Sequence, residues 1–226
     1  MVTSTIYTTF EKLTARGDEA VLIVKLMMAF NDLALANEGL SKFKSQYVTK
    51  RNDKNRGAAM YFVRLQASHL YEAMEIVDVI AANQRLRNVI SGCSEKVKVA
   101  FQRLLDIRHD KNQKQKFEQW VGRLRNNLTF HYDESGDLIK KAMAKRAKNP
   151  SGNPTSITWG TETYSWRFAV ADDVVDSIVC REIWKIPDKA DLRAEADAAA
   201  DYGHQIFVHS ADFASDLIVG YVRDGA

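Results

Sequence analysis

The stretch FEQWVGRLRNNL, residues 117–128, carries the clearest periodic pattern of apolar residues in the chain. Its apolar members recur at intervals of three and four: Phe117, Trp120, Val121, Leu124 and Leu128. At 3.6 residues per turn they fall within roughly 100° of arc, and His131 continues the same face. The spacing predicts a helix with one side packed against a core.

The same periodicity predicts further helices on both sides of this stretch. They run from Asp18 to Leu40, Gly57 to Ala82, Lys96 to Arg108, Leu138 to Ala147, Ala171 to Ile186 and Asp188 to Val222. Gly39 is interpreted as a C-terminal cap and Ser94 as an N-cap. On the second of these helices the predicted apolar face holds Phe62, Leu65, His69, Ala73, Ile76 and Ile80. We therefore expect a mainly α protein built as a helical bundle.

A short β-hairpin is predicted late in the chain. Ser156–Trp159 and Tyr164–Phe168 are separated by GTET, and aromatic residues alternate with polar ones in the second run. The dense turn signal at 149–154 precedes them. The prediction is one domain over residues 1–226, with a boundary or insert at 149–170 that contains the hairpin.

Composition limits the class of protein. With 46% hydrophobic residues, 11 Gly and 3 Pro, the chain has enough apolar residues for a core. Its longest apolar run, Val21–Phe30, contains Lys25 and is shorter than the roughly 20 residues of a membrane span. The first residues, 1–16, lack the basic start and apolar segment of a secretory signal. We expect a cytoplasmic protein without a membrane segment.

Charge and cysteine content indicate no cofactor. Cys93 and Cys180 are far apart and show no ligand spacing, so neither a disulfide framework nor a zinc site is predicted. The sequence also lacks a G-x-S-x-G motif and a Gly-rich phosphate loop. The net charge is +3, with basic clusters at 42–56, interpreted as a loop, and at 140–148. Such clusters are typical of solvated segments, although they also suit contacts with phosphates.

One motif contains side chains suited to catalysis: RNNLTFHY, residues 125–132. Two other Arg/His pairs have similar spacing, Arg64 with His69 and Arg103 with His109. On helical wheels Arg64 projects away from its apolar stripe, whereas Arg103 and His109 lie on a polar side. Arg125 and His131 lie on the inward half of their helix, and a polar residue directly follows Arg125. Position therefore distinguishes this pair from the other two.

The segment resembles the Arg-x(4–6)-His motif of the HEPN superfamily of helical-bundle proteins, many of which are RNases of toxin and antiviral defence systems. The resemblance implies a metal-independent endoribonuclease or an RNA-binding protein that needs no cofactor. It also implies a homodimer, because two protomers of the family commonly pair their motifs in one cleft. The match is confined mainly to this motif and does not include the hairpin.

The resemblance implies a role for each residue of the motif. Arg125 is the phosphate clamp, His131 the general base or acid, and Asn126 the polar residue that orients the phosphate. Asn127, which shares a face with His131, is the alternative to Asn126, and Tyr132 is assigned a supporting role. In a regular α-helix, Arg125 and His131 are about 120° apart around the axis and roughly 9 Å apart along it. A bend or a partner chain is then needed to bring them together.

His69 and Glu72 are three residues apart and can touch on one helix face. A hydrogen bond inside the bundle is one interpretation, and support of the Arg125 motif is the other. Metal binding is not predicted, because His-x-x-Glu occurs here in the order opposite to that of helical di-metal sites.

Two alternatives to the RNase hypothesis remain open at the level of sequence. Arg125 and His131 can serve structure alone, paired with acidic groups of neighbouring helices. The bundle can also be a non-catalytic interaction module that presents Phe130, Trp159 or Trp166 to a protein partner or a small ligand.

Overall fold

A computed structural model describes residues 5–49, 53–129, 135–148, 155–158, 160–161, 167–190 and 192–223. Within these ranges the helices are α1 (Phe10–Thr14), α2 (Asp18–Thr49), α3 (Asp53–Ala82), α4 (Gln84–Gly92), α5 (Glu95–His109), α6 (Lys111–Phe117), α7 (Asp137–Ala147), α8 (Ala169–Ser177) and α9 (Leu192–Arg223). The predicted mainly α fold is confirmed.

Two of these helices continue as π-helices, in which each N–H bonds to the carbonyl five residues earlier. After α6 come the π-helical segments Glu118–Gly122 and Arg125–Thr129, and after α8 comes Ile178–Ile183. Phe117, Val121, Leu124 and Leu128 are all buried, as their spacing predicted. The stripe is confirmed at these four positions, whereas Trp120 is partly buried and His131 lies outside the described residues. The helix that carries the stripe is not a regular α-helix.

The predicted hairpin is present as a very short antiparallel pair of strands. β1 (Ile157–Thr158) pairs with β2 (Arg167–Phe168), with Ile157 opposite Phe168 and Thr158 opposite Arg167. Ile157 and Phe168 are exposed. Tyr164 and Trp166, which together with Phe168 form its predicted aromatic face, lie outside the described residues, as does Trp159.

The predicted end of the first helix at Gly39 is wrong, since α2 continues to Thr49. Gly39 lies inside the helix, where a Cβ would overlap the Phe62 ring of α3. The glycine therefore allows a close approach of two helices, which sequence alone does not distinguish from a cap. The predicted loop at 42–56 is wrong at residues 42–49 and 53–56, which are helical, whereas residues 50–52 lie outside the described part of the chain. Lys, Ser and Gln permit a helix without imposing an apolar stripe.

The predicted apolar face of α3 is also partly wrong. Between His69 and Ala82, the buried face of α3 consists of five residues: Leu70, Ala73, Met74, Val77 and Ile80. His69 and Ile76 are only partly buried. The predicted apolar face is turned around the helix axis relative to the buried one, because the prediction gives no weight to Leu70 and Met74, which face the core.

The chain divides into two compact units. Unit 1 comprises residues 1–34, 69–117 and 203–226, and its core contains Ile23 and Leu33 of α2 and Leu104 of α5. Phe101 stacks on Phe213 of α9 with ring centroids 5.0 Å apart. An ion pair between Arg108 Nε and Asp78 Oδ2, 2.7 Å apart, joins α5 to α3 within this unit.

Unit 2 comprises residues 35–68 and 118–202. Its core includes Leu124, Leu128, Val179 and Ile183, all from or beside π-helical segments. The rings of Trp120 and Trp184 are 5.2 Å apart, and Trp184 Nε1 donates to the Trp120 carbonyl oxygen at 3.2 Å.

Among the described residues, no helix has the length and apolar character to cross a membrane.

Candidate functional site

Arg125, Asn126 and Asn127 begin the second π-helical segment, Arg125–Thr129, in unit 2. Leu124 and Leu128 are fully or almost fully buried on either side of them, which fixes the segment on the core. Asn126 is exposed, whereas Arg125 and Asn127 are partly buried. The polar residues of the motif therefore stand at the boundary between core and solvent.

Arg125 and Asn126 contact each other directly. Arg125 Nη1 donates a hydrogen bond to Asn126 Oδ1 at 3.0 Å. An amide group has a carbonyl oxygen that accepts and an NH₂ group that donates twice. The contact with Arg125 occupies the oxygen, so the NH₂ of Asn126 is the part of this side chain that remains for an anionic ligand.

Asn127 is held differently. Its Nδ2 donates to the main-chain oxygen of Arg123 at 2.6 Å, four residues earlier. Side-chain bonds of this kind compete with the hydrogen bonds of a regular helix, which is consistent with the π-helical geometry at this point. One of the two N–H groups of the Asn127 amide is therefore used within its own helix.

Arg64 of α3 is a neighbour of the motif that sequence reasoning missed. Its Nη1 donates to the main-chain oxygen of Leu128 at 3.0 Å, and its guanidinium carbon lies 6.0 Å from the centroid of the Tyr61 ring. The sequence places Arg64 away from the apolar stripe of its helix and does not predict this contact. A long side chain with five donors can reach a neighbouring helix from the edge of an apolar face, and residue spacing does not reveal this.

The second half of the motif, Phe130, His131 and Tyr132, lies outside the described residues. The distance of about 9 Å expected between Arg125 and His131 assumed an α-helix. Because residues 125–129 are π-helical, that estimate does not apply to this chain.

His69 and Glu72 belong to unit 1, whereas Arg125 belongs to unit 2. His69 Nδ1 lies 4.0 Å from Asp32 Oδ2 of α2, and the His69 side chain is 23% exposed. Glu72 is exposed. The carboxylate that His69 faces in this structure is thus Asp32, which the spacing of His69 and Glu72 did not indicate.

Among the described residues, no group of three or more His, Cys, Asp or Glu side chains is arranged to hold a metal ion. Cys93 and Cys180 are both reduced thiols. Burial raises the pKa of the Cys180 thiol to about 11, with a smaller contribution from the charge of Asp176.

No protein-family model, no curated protein sequence and no solved structure matches this chain.

Proposed function

We propose that this chain is a HEPN-like protein that acts on RNA as a metal-independent endoribonuclease. The observation that carries the proposal is the hydrogen-bonded pair of Arg125 and Asn126 at the solvent boundary of a π-helical segment. π-Helical turns inside α-helices occur frequently at functional sites. An arginine and an amide presented together form a suitable donor set for a phosphate group.

The chemistry assigns one step to each group. His131 takes the proton from a ribose 2′-hydroxyl, whose oxygen attacks the adjacent phosphorus. The guanidinium group of Arg125 stabilises the negative charge of the pentacovalent phosphate. The bond to the 5′-oxygen then breaks, and that oxygen takes a proton from water. The products are a 2′,3′-cyclic phosphate and a 5′-hydroxyl.

Asn126 is the better candidate than Asn127 for the residue that orients the phosphate. One N–H of the Asn127 amide is already bonded to the main-chain oxygen of Arg123 and the residue is partly buried, whereas the Asn126 side chain is exposed. The exposed Arg123 adds positive charge close to the motif in sequence. Long-range attraction of a polyanion follows from such charge and weakens as salt increases.

The same proposal includes a homodimer in which two motifs share one RNA, and a role in a toxin or antiviral defence system in the cytoplasm. Tyr132 would then support the position of His131. These parts of the proposal come from the resemblance of the motif to the HEPN superfamily.

The test is cleavage of labelled single-stranded RNA and of a tRNA pool in EDTA by the purified chain. Arg125→Ala and His131→Ala are expected to reduce cleavage by about 100-fold or more, the range of one transition-state donor or one acid–base group. Asn126→Ala should cost less, and Asn127→Ala should act mainly on stability. Cyclic phosphate ends identify the predicted chemistry.

Arg103→Ala is the matched control, because Arg103 has the same spacing to a histidine but is exposed on α5 in unit 1. Cleavage that persists in folded His131→Ala protein contradicts the proposal. So does an absence of both cleavage and RNA binding in the unmodified chain.

A further inference from the structure

A cleft in unit 1 is lined by residues from the end of α4, the start of α5 and the last turns of α9. Its volume is about 410 Å³, which is within the range of small-molecule sites. Val89, Cys93 and Val219 are partly buried and form its inner part, whereas Asp216 and Arg223 are exposed and form part of its rim. The cleft thus combines a largely apolar interior with charged groups at its edge.

The two charges of the rim lie on one face of α9 with a glycine between them. Asp216, Gly220 and Arg223 follow one another at intervals of four and three residues, so they are aligned along the helix. A Cβ at Gly220 would stand 3.8 Å from Cys93 Sγ, and its absence leaves the space between the charges open. At 1.5 Å per residue, Asp216 and Arg223 are about 10.5 Å apart along the helix axis.

The fold does not use either of these charges in an ion pair. Among the described residues, neither Asp216 nor Arg223 has an ion-pair partner. Lys96 of α5 feels the charge of Asp216, but its Nζ lies 2.8 Å from Oδ1 of Asp212, which is its partner. A carboxylate and a guanidinium group are therefore available to a ligand at the two ends of the cleft.

Two uncharged polar residues also line the cleft, Asn88 and Ser94. Asn88 Oδ1 accepts a hydrogen bond from Gln84 Nε2 at 3.0 Å, so the Asn88 NH₂ group can donate to a ligand. Ser94 is the N-cap of α5, yet its hydroxyl makes no capping hydrogen bond, although serine at this position usually does. An amide donor and a hydroxyl are suited to the carbonyl and N–H groups of a peptide.

We propose that this cleft binds a free peptide of about three residues, with its terminal ammonium group at Asp216 and its terminal carboxylate at Arg223. Three extended residues span about 10 Å, which matches the separation of the two charges. A guanidinium group can bind a carboxylate through two parallel hydrogen bonds. The end of a long protein chain supplies only one of the two terminal charges, and a phosphate ion would be repelled by Asp216. The pair of charges thus favours a short peptide with both ends free.

This inference does not depend on the RNA activity, because the cleft lies in unit 1 and the Arg125 motif lies in unit 2. Calorimetric titration of the full chain with tri-alanine is the test. A dissociation constant of about 0.1–1 mM is expected, from the binding energy per atom of small ligands. N-acetylated tri-alanine and tri-alanine amide each lack one terminal charge and should each bind about tenfold more weakly or worse.

Two variants assign each end of the peptide to its residue. Asp216→Asn should weaken tri-alanine binding by about tenfold but leave the affinity for N-acetylated tri-alanine unchanged, since that peptide has no ammonium group. Arg223→Gln should have the same relation to the amide. Glu95→Gln is the matched control, because Glu95 is an exposed carboxylate at the start of α5 that does not line the cleft.

The proposal is overturned if tri-alanine does not bind at about 10 mM, thirtyfold above the centre of the expected range. It is also overturned if the blocked peptides bind as well as tri-alanine, or if Glu95→Gln weakens binding as much as Asp216→Asn.

Cys93 provides an independent measurement, because its thiol lines the cleft. Tri-alanine at ten times its dissociation constant should slow the reaction of Cys93 with a thiol-specific disulfide reagent by about tenfold. Gly220→Leu places a side chain in the cleft and should abolish calorimetric binding, while its Cβ makes only an ordinary contact with Cys93. Unchanged reactivity of Cys93 at saturating peptide, or full binding by Gly220→Leu, overturns the proposal.

Discussion

Arg64 and Leu128 are joined by a hydrogen bond of 3.0 Å from the guanidinium Nη1 to the main-chain oxygen. This bond ties α3 to the far end of the π-helical segment that presents Arg125 and Asn126. Replacement of Arg64 by Met should lower the free energy of unfolding by about 1–3 kcal/mol, the range for a bond from a charged donor. It should also speed amide hydrogen exchange in residues 125–129.

Urea denaturation and exchange mass spectrometry measure these effects. Arg103→Met is the control, because Arg103 is exposed and should change stability by less than about 0.5 kcal/mol. Unchanged exchange in the segment would show that Arg64 does not hold it.

A second prediction concerns the stability of a Gly39 variant, in which steric overlap with Phe62 opposes the gain in helix propensity. Ala in place of Gly inside a helix normally adds roughly 1 kcal/mol of stability. Here the new Cβ would meet the Phe62 ring, so Gly39→Ala should destabilise the protein, by about 1–3 kcal/mol. The double variant Gly39→Ala/Phe62→Leu should recover part of that loss.

Gly92→Ala is the matched control, since a Cβ at the end of α4 meets no atom within 4 Å. Thermal unfolding of the unmodified chain and of the three variants measures these differences in stability. A Gly39→Ala protein at least as stable as the unmodified chain would mean that Phe62 can move aside.

Asp78 and Arg108 provide a third prediction. The pair is 2.7 Å apart, and the Arg108 side chain is only 16% exposed. Burial works against the charged form of Arg108, but the hydrogen bond and charge of Asp78 raise its pKa overall. Asp78→Asn leaves that cation without its carboxylate and should cost about 2–4 kcal/mol of unfolding free energy.

The comparison is Glu95→Gln, which breaks the exposed pair of Glu95 with Lys98 on α5. Pairs of this kind contribute about 0–1 kcal/mol. Equal losses in the two variants, measured by urea denaturation, would contradict a special role for Asp78.

A fourth prediction concerns the buried Cys180 thiol and the free energy of unfolding at alkaline pH. Its pKa is about 11 when folded, against an ordinary value of 9.0, so the folded chain holds this proton more tightly than the unfolded chain does. The thiol's contribution is constant below pH 9 and is lost as pH rises towards 11, by up to about 1.4 kcal/mol per pH unit. Cys180→Ala should flatten this part of the stability profile.

Cys93→Ala is the control and should keep the alkaline slope. In the folded protein at pH 8, a thiol reagent should modify the partly exposed Cys93 before the buried Cys180. Rapid modification of both cysteines would contradict the assigned burial.

The sequence predicted the elements of the fold better than their faces and ends. The stripe from Phe117 to Leu128 was correct because large apolar residues at fixed spacing leave little choice of orientation. Gly39 was misinterpreted because a glycine that ends a helix and one that admits a neighbouring ring look alike in sequence. The π-helical turns were not predicted, since no residue type specifies them.

For the candidate site, sequence found the chemical groups but not their local arrangement. The contact between Arg125 and Asn126 involves adjacent residues, which on a regular helix project in directions about 100° apart. Arg64 was passed over because its partner is a main-chain oxygen, and every residue offers one. Phe130, His131 and Tyr132 stay predictions, as they lie outside the described residues.

The Trp120–Trp184 pair has an optical consequence. All four tryptophans of the chain, Trp120, Trp159, Trp166 and Trp184, fall in unit 2, and none falls in unit 1. Their fluorescence is therefore a natural label for one half of the protein, whereas far-ultraviolet circular dichroism records the helices of both. Transitions that coincide during denaturation would describe a chain that melts as one cooperative body. A fluorescence change at a different denaturant concentration would describe two bodies that unfold in turn.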